Sequence, residues 1–204
     1  MYQPEHFKEH DTAVLHRLIQ ETGMGVLIMA DEAGIEANHI PFYLDTGAGN
    51  AMGVLQCHVA RANPVWQRLE KSKRVLVVFQ GPDAYVSPSW YASKAETGRV
   101  VPTWNYLAVH VEGEARIVQD EAWLRHQLHH MTDQQEAGQK EPWSVSDAPE
   151  DFTDRMIQAI VGIEIVIDRI SGKRKASQNQ SQANRSGVRN GLEAGNSAMA
   201  KWIP

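Results

Sequence analysis

Residues 105–118 read Asn105-Tyr-Leu-Ala-Val-His-Val-Glu-Gly-Glu-Ala-Arg-Ile-Val118, and the two parities differ in kind. Leu107, Val109, Val111, Gly113 and Ala115 fall on one side; Tyr106, Ala108, His110, Glu112 and Glu114 fall on the other. A period of two sustained this long predicts an antiparallel strand with one face in a core, bent at Gly113. Upstream, Arg74-Val-Leu-Val-Val-Phe79 is continuously apolar and β-branched, as in a strand buried on both faces. Gly81-Pro82 is its expected end, and Tyr85 to Ser87 reads as a separate short strand. Gly25 to Met29, the turn Asp31 to Gly34 and the run His39 to Leu44 predict a hairpin, and Met52 to His58 and Val161 to Ile167 predict two more strands. Helical spacing appears after Asp11 (Val14, Leu15, Leu18, Ile19, with Gly23 as the stop), from Asn63-Pro64, after Asp120, and near Asp151 to Ile160. Six or so strands broken by short helices, with no regular βαβ alternation, define a mainly β fold with peripheral helices: an antiparallel barrel.

The chain of 204 residues, 42% hydrophobic and 22% charged, is long enough to bury a core without a disulfide or metal staple. It has one cysteine, Cys57, so no internal bridge is available, and with no basic-then-apolar leader at Met1 to Asp11 the expectation is a reducing, cytoplasmic compartment. No apolar run reaches membrane-spanning length. The net charge of −5 averages two unlike parts. Residues 1–168 hold 13 Lys and Arg against 24 Asp and Glu, a balance of −11; residues 169–204 hold 7 against 1, a balance of +6. An acidic body argues against wrapping around a nucleic-acid backbone, whereas a basic tail must be solvated, paired with the body, or set against an anion. Within that tail, residues 178–196 are rich in Gln, Asn, Ser and Gly and are expected to order only if docked.

Three segments carry candidate chemistry. Five of the 15 aromatic residues (Tyr85, Trp90, Tyr91, Trp104 and Tyr106) lie between positions 85 and 106 among Ser87, Ser89, Ser93, Lys94, Thr103 and Asn105. Rings beside hydroxyls and amides suit a flat, polar-edged ligand, and equally suit a core or a dimer interface. His58-Val-Ala-Arg-Ala-Asn-Pro64 runs from a strand into a helix start, where free N–H groups and the Arg61 fork would hold a phosphate; the alternative is a surface ion pair for Arg61. Lys173-Arg-Lys-Ala-Ser-Gln-Asn179 joins three cations to hydroxyl and amide donors, either as a solvated run or as an arm closing on an anion. His126, His129 and His130 share a helix face without a completing carboxylate or thiol, so no metal site is assigned. His39, His58 and His110 lie on strands. Neither a nucleophile elbow nor a phosphate-binding or dinucleotide-binding glycine loop is present.

Taken together, several blocks resemble a known family. Met1-Tyr2 with Pro4 and Phe7, His39-Ile-Pro41, His58 to Trp66, Phe79 to Tyr91, Val101-Pro-Thr-Trp-Asn-Tyr106, Val109-His110 and Lys173 to Asn179 resemble the PaiB-type FMN-binding negative transcriptional regulators across nearly the whole chain. Ala176 departs from the pattern, which has a larger aliphatic residue there. The resemblance implies an FMN-binding split β-barrel over residues 1–168, a basic segment 169–204 docking on the barrel or a partner subunit, and a homodimer with the flavin near the subunit interface. It implies flavin contacts from His39, His58, Arg61, Asn63, Ser87, Ser89, Trp90, Tyr91, Thr103, Trp104, Asn105, Tyr106, Lys175, Ser177, Gln178 and Asn179. The FMN phosphate, with about two negative charges, supplies an anion for the basic segment. With no helix-turn-helix, zinc module or basic helix, the residues argue against direct DNA binding and toward indirect regulation through flavin redox or ligand sensing. The alternative is an FMN-dependent oxidoreductase.

Overall fold

The alternating run forms a 16-residue strand in the computed structural model, which describes residues 1–204. In chain order the elements are β1 (Lys8–Glu9), α1 (Thr12–Thr22), β2 (Met24–Asp31), β3 (Gly34–Pro41), β4 (Tyr43–Asp45), β5 (Val54–Ala60), α2 (Val65–Lys71), β6 (Arg74–Val86), α3 (Ser93–Thr97), β7 (Thr103–Val118), α4 (Glu121–Glu136), α5 (Glu150–Gln158), β8 (Ile160–Lys175) and α6 (Gln182–Ala194). The strands form one sheet in the order β3-β2-β6-β7-β8-β5-β4, with β1 added on β8. The β1–β8, β2–β3, β2–β6, β4–β5 and β5–β8 ladders are antiparallel. The path does not close on itself, so the expected barrel is split. No helix is long and apolar enough to cross a membrane.

Two compact units share the long strands. A central unit comprises Ile19–Phe79 and His110–Ile170; a terminal unit comprises Met1–Leu18, Gln80–Val109 and Ser171–Pro204. The expected boundary after residue 168 thus falls inside β8.

In the central unit, Leu27, Met29, Phe42, Leu55, Val77, Phe79, Val111, Ile163 and Ile165 are buried, and Phe42 and Phe79 meet edge-on at 5.6 Å. Arg68 on α2 fastens the β2–β3 turn: its Nε and Nη2 donate to Asp31 at 2.7 and 2.5 Å, and its Nη1 donates to Glu36. Gly113 is explained by close approach: a Cβ there would stand 2.2 Å from the Val166 carbonyl oxygen of β8. Cys57 lies fully buried on β5, and burial pushes its thiol well above the ordinary range. Native protein is therefore expected to resist iodoacetamide at pH 8 and to react once unfolded; rapid labelling without unfolding would contradict the placement.

Several sequence expectations differ: β6 alternates buried Val75, Val77 and Phe79 with half-buried Leu76 and Val78 instead of burying both faces, and the run His39 to Leu44 is divided between β3 and β4. β6 runs through Gly81-Pro82 to Val86 and absorbs the separate strand expected at Tyr85 to Ser87. β2 pairs with β6 only over Leu76–Val78, so Pro82 lies beyond that ladder, where a missing N–H removes none of its bonds. A Cβ on Gly81 would meet the Leu107 Cβ at 3.0 Å, which makes its glycine a packing requirement. Residues 178–196 are ordered chiefly as α6, capped by Ser181, whose Oγ accepts from the Asn184 N–H. Asn184, Val188 and Leu192 are buried on one helix face, and Met199, Ala200 and Ile203 are buried beyond it.

Candidate functional site

The terminal unit holds a cavity of about 300 Å³. Six of the sixteen residues expected from the sequence line it: Tyr91, Thr103, Asn105, Lys175, Ser177 and Asn179. β7 supplies Thr103 and Asn105 on one parity, and the end of β8 supplies Lys175. Ser177 stands at φ +59°, in the left-handed region, where the chain turns out of β8 toward α6. Lys175 Nζ donates to Thr103 Oγ1 at 2.6 Å and lies 5.9 Å from the centre of the Phe7 ring. Asn105 is 1% exposed; its Nδ2 donates to Ser177 Oγ at 2.8 Å, while its Oδ1 has no partner. A buried, unpaired carbonyl oxygen is costly, and here it belongs to a residue lining a cavity, so a donor brought by a ligand would satisfy it. Burial also pushes the Tyr91 phenol upward, keeping it neutral.

Ser93, from the aromatic segment, and Phe7, from the family pattern, also line the cavity, and sequence reasoning missed Arg99, Gln180 and Asn184 of the same wall. Asn184 joins α6 to the first residue of α3: the Ser93 N–H donates to its Oδ1 at 3.1 Å, and its Nδ2 donates to Ser93 Oγ at 3.0 Å. Nothing in local spacing links positions 93 and 184. Arg99, a cation in the short Gly98-Arg-Val-Val-Pro102 loop beside the aromatic segment, was legible in principle.

The remaining candidates of the terminal unit lie outside the lining of this cavity. Ser87 Oγ accepts from the Ser89 N–H at 3.2 Å, and Ser89 Oγ accepts from Lys94 Nζ at 3.1 Å. Trp90 packs on α6, where Gly187 and Gly191 make room for it. Trp104 is exposed and meets Tyr85 edge-on at 5.9 Å. The Tyr106 ring carries Lys173 Nζ at 5.3 Å. Gln178 closes a local turn, accepting from the Ala176 N–H at 2.7 Å and donating to Arg174 O. Ala176 itself is 1% exposed, so its small side chain is fully packed.

His39, His58, Arg61 and Asn63 belong to the central unit. Arg61 spends three of its five N–H donors on the protein: Nε on Gln158 O at 2.8 Å, Nη1 on Gln119 Oε1 at 2.8 Å and Nη2 on Ile160 O at 2.9 Å. Asn63 Oδ1 accepts from the Val65 N–H at 3.0 Å and its Nδ2 donates to Asn38 Oδ1 at 2.9 Å. These bonds tie the end of β5 to α2 and to the start of β8. His39 is exposed on β3. On α4, His130 Nδ1 hydrogen-bonds the Tyr43 hydroxyl at 2.9 Å and its ring lies 4.0 Å from that of His126. A more open groove of about 640 Å³ in the central unit mixes Glu114 and Asp168 with Lys73 and Arg116, and none of the expected site residues lines it.

His58 carries a pH consequence. Burial holds its imidazole below the ordinary value of 6.5, against the opposing hydrogen bond between Nδ1 and Gln127 Oε1 at 3.0 Å. On acidification the unfolded chain therefore takes up this proton before the folded one does, so the stability at neutral pH is lost as pH falls below about 6.5. Denaturant titrations from pH 7.5 down to 5.5 are expected to show this slope, shallower in His58→Gln; an identical slope in the variant would remove His58 from the account.

The fold is an open, split antiparallel sheet, and the terminal unit carries a polar, cation-bearing cavity. Rv2991 of Mycobacterium tuberculosis, a conserved hypothetical protein, superposes with a TM-score of 0.63 at 14% identity, over 89% of this chain and 95% of that one. The FAD and heme binding protein of Mycobacterium smegmatis superposes with a TM-score of 0.60 at 15% identity, over 82% and 73%. Residues 1–169 match the family described as "Putative FMN-binding domain", and the chain belongs to that family. Relatives include the uncharacterized protein AN0679 of Emericella nidulans, 37% identical over 95% of this chain and 90% of that protein. Another is the protease synthase and sporulation protein PAI 2 of Bacillus subtilis, 31% identical over 89% and 84%.

Proposed function

We propose that this chain binds FMN, with the cavity of the terminal unit as part of the flavin site, and that it does so as a homodimer with the flavin near the subunit interface. The observation that carries the reading is Asn105: a carbonyl oxygen without a partner, on a residue 1% exposed, in the wall of a cavity otherwise furnished with hydroxyls, amides and cations. FMN matches that donor set, offering N–H and hydroxyl donors to Asn105 Oδ1 and a phosphate for cations. Asn105 and Ser177 would orient the ligand, and Lys175, fixed on Thr103, would supply positive charge. Arg61 retains two N–H positions and stays a candidate contact, as do His39, His58 and Asn63. When bound, FMN supplies hydride or single-electron chemistry.

The regulatory part of the proposal is indirect: flavin occupancy or redox state acts through a protein partner, because an acidic body repels a DNA backbone. Titration with FMN is expected to quench flavin fluorescence and saturate at one flavin per chain, with a solution mass of two chains. A monomer that saturates with FMN would remove the dimer from the proposal. Catalytic turnover of NADH or NADPH by the flavin-loaded protein would replace regulation with the oxidoreductase reading.

A further inference from the structure

We propose that the same cavity contains a dedicated anion subsite made by Arg99 and Lys175, taking the phosphate or carboxylate of a small molecule. Both cations line the cavity, and no aspartate or glutamate does. The Arg99 guanidinium makes no hydrogen bond or ion pair with the protein; only its backbone N–H is engaged, donating to Thr97 Oγ1 at 3.2 Å. Arg68, Arg74, Arg116, Arg125, Arg155, Arg169 and Arg174 each reach a carboxylate, and the guanidinium groups of Arg61, Arg185 and Arg189 are held by neutral oxygens of the protein. Lys175 also lacks a carboxylate partner, and its single hydrogen bond, to the neutral Thr103 hydroxyl, aims the ammonium without cancelling its charge. Two cations without carboxylate partners in the lining of one cavity raise the positive potential there, which favours an anion over a neutral ligand. The guanidinium fork matches the paired oxygens of a phosphate or carboxylate, and the lysine adds a point charge.

Asn105 makes the subsite more selective than charge alone. Its Oδ1 has no partner in the protein, so a ligand that brings an N–H or O–H to the same cavity is favoured over a bare anion. The ligand class is thus a small molecule with an anionic group beside a hydrogen-bond donor. Two sources fit: the phosphorylated ribityl end of the flavin itself, or a separate anionic substrate or effector. The inference extends the flavin reading, and its test separates the two.

Arg99 is exposed on a loop, so Arg99→Ala is expected to fold as the wild type does. Wild-type and variant protein are titrated with FMN and with riboflavin, and thermal unfolding is followed with millimolar inorganic phosphate against sodium chloride at matched ionic strength. If the anion is the flavin's own, Arg99→Ala weakens FMN about tenfold or more while leaving riboflavin unchanged, and Arg99→Lys recovers part of the loss. If the anion is separate, both flavins keep their affinity, and the protection that phosphate gives the wild type disappears in Arg99→Ala. Equal behaviour of wild type and variant toward FMN, riboflavin and phosphate overturns the subsite. Wild-type protein that takes up no flavin but loses phosphate protection on Arg99→Ala would sink the flavin reading and leave the subsite standing.

Discussion

Replacing Gly187 by alanine is expected to lower the melting temperature by about 4–8 °C, the equivalent of about 2 kcal/mol in a chain of this size. The direction is the informative part. At an ordinary helix position, glycine to alanine stabilises by about 1 kcal/mol. Here an added Cβ would stand 2.0 Å from the Trp90 carbonyl oxygen, a backbone atom that cannot rotate away, so α6 would have to move off the segment Pro88–Trp90. Such a shift would also strain the Asn184 bonds to Ser93 and open the cavity wall, so flavin affinity should fall with stability. Gly191 is the companion site: its Cβ would meet the Trp90 ring at 2.4 Å, so Gly191→Ala should also destabilise. An unchanged or raised melting temperature for Gly187→Ala would show that α6 does not dock as described.

Asn105→Leu is expected to weaken flavin binding about 5- to 150-fold, from about 1–3 kcal/mol for a lost buried hydrogen bond. Leucine keeps the branching of asparagine and removes a buried acceptor that has no partner, but it is bulkier and takes the Nδ2 donor away from Ser177, so the flavin-free variant should lose about 1–3 kcal/mol while remaining folded. Loss of affinity in a variant that still unfolds cooperatively marks a ligand contact rather than a collapsed site. An unchanged dissociation constant would place Asn105 outside the flavin site.

How far the sequence carried this reading depended on whether each signal was local. The β7 alternation was legible because every second side chain enters the core, and Asp120 was legible as a helix cap because its carboxylate accepts from the Trp123 N–H within one turn. β6 was read short because Gly81-Pro82 is a strong local stop, overridden here by a packing requirement against Leu107 that no local pattern reveals. The basic run was read as tail because three cations hide a strand: Lys173 is 9% exposed, donates to Tyr2 O at 3.1 Å and sits opposite Lys8 in the β1–β8 ladder. α6 was obscured by Gly187 and Gly191, which thin its apolar stripe for the sake of Trp90. The site followed the same rule. Thr103, Asn105, Lys175 and Ser177 were found through the family resemblance, whereas Ser93 and Asn184 meet only through the fold.

The central claim, flavin binding by this chain, is tested most directly by mixing purified protein with excess FMN, desalting, and recording the visible spectrum of the protein fraction. The account predicts an oxidised-flavin spectrum travelling with the protein at about one FMN per chain, reduced in proportion for Asn105→Leu. A folded, colourless protein fraction with all the flavin in the salt fraction would contradict it.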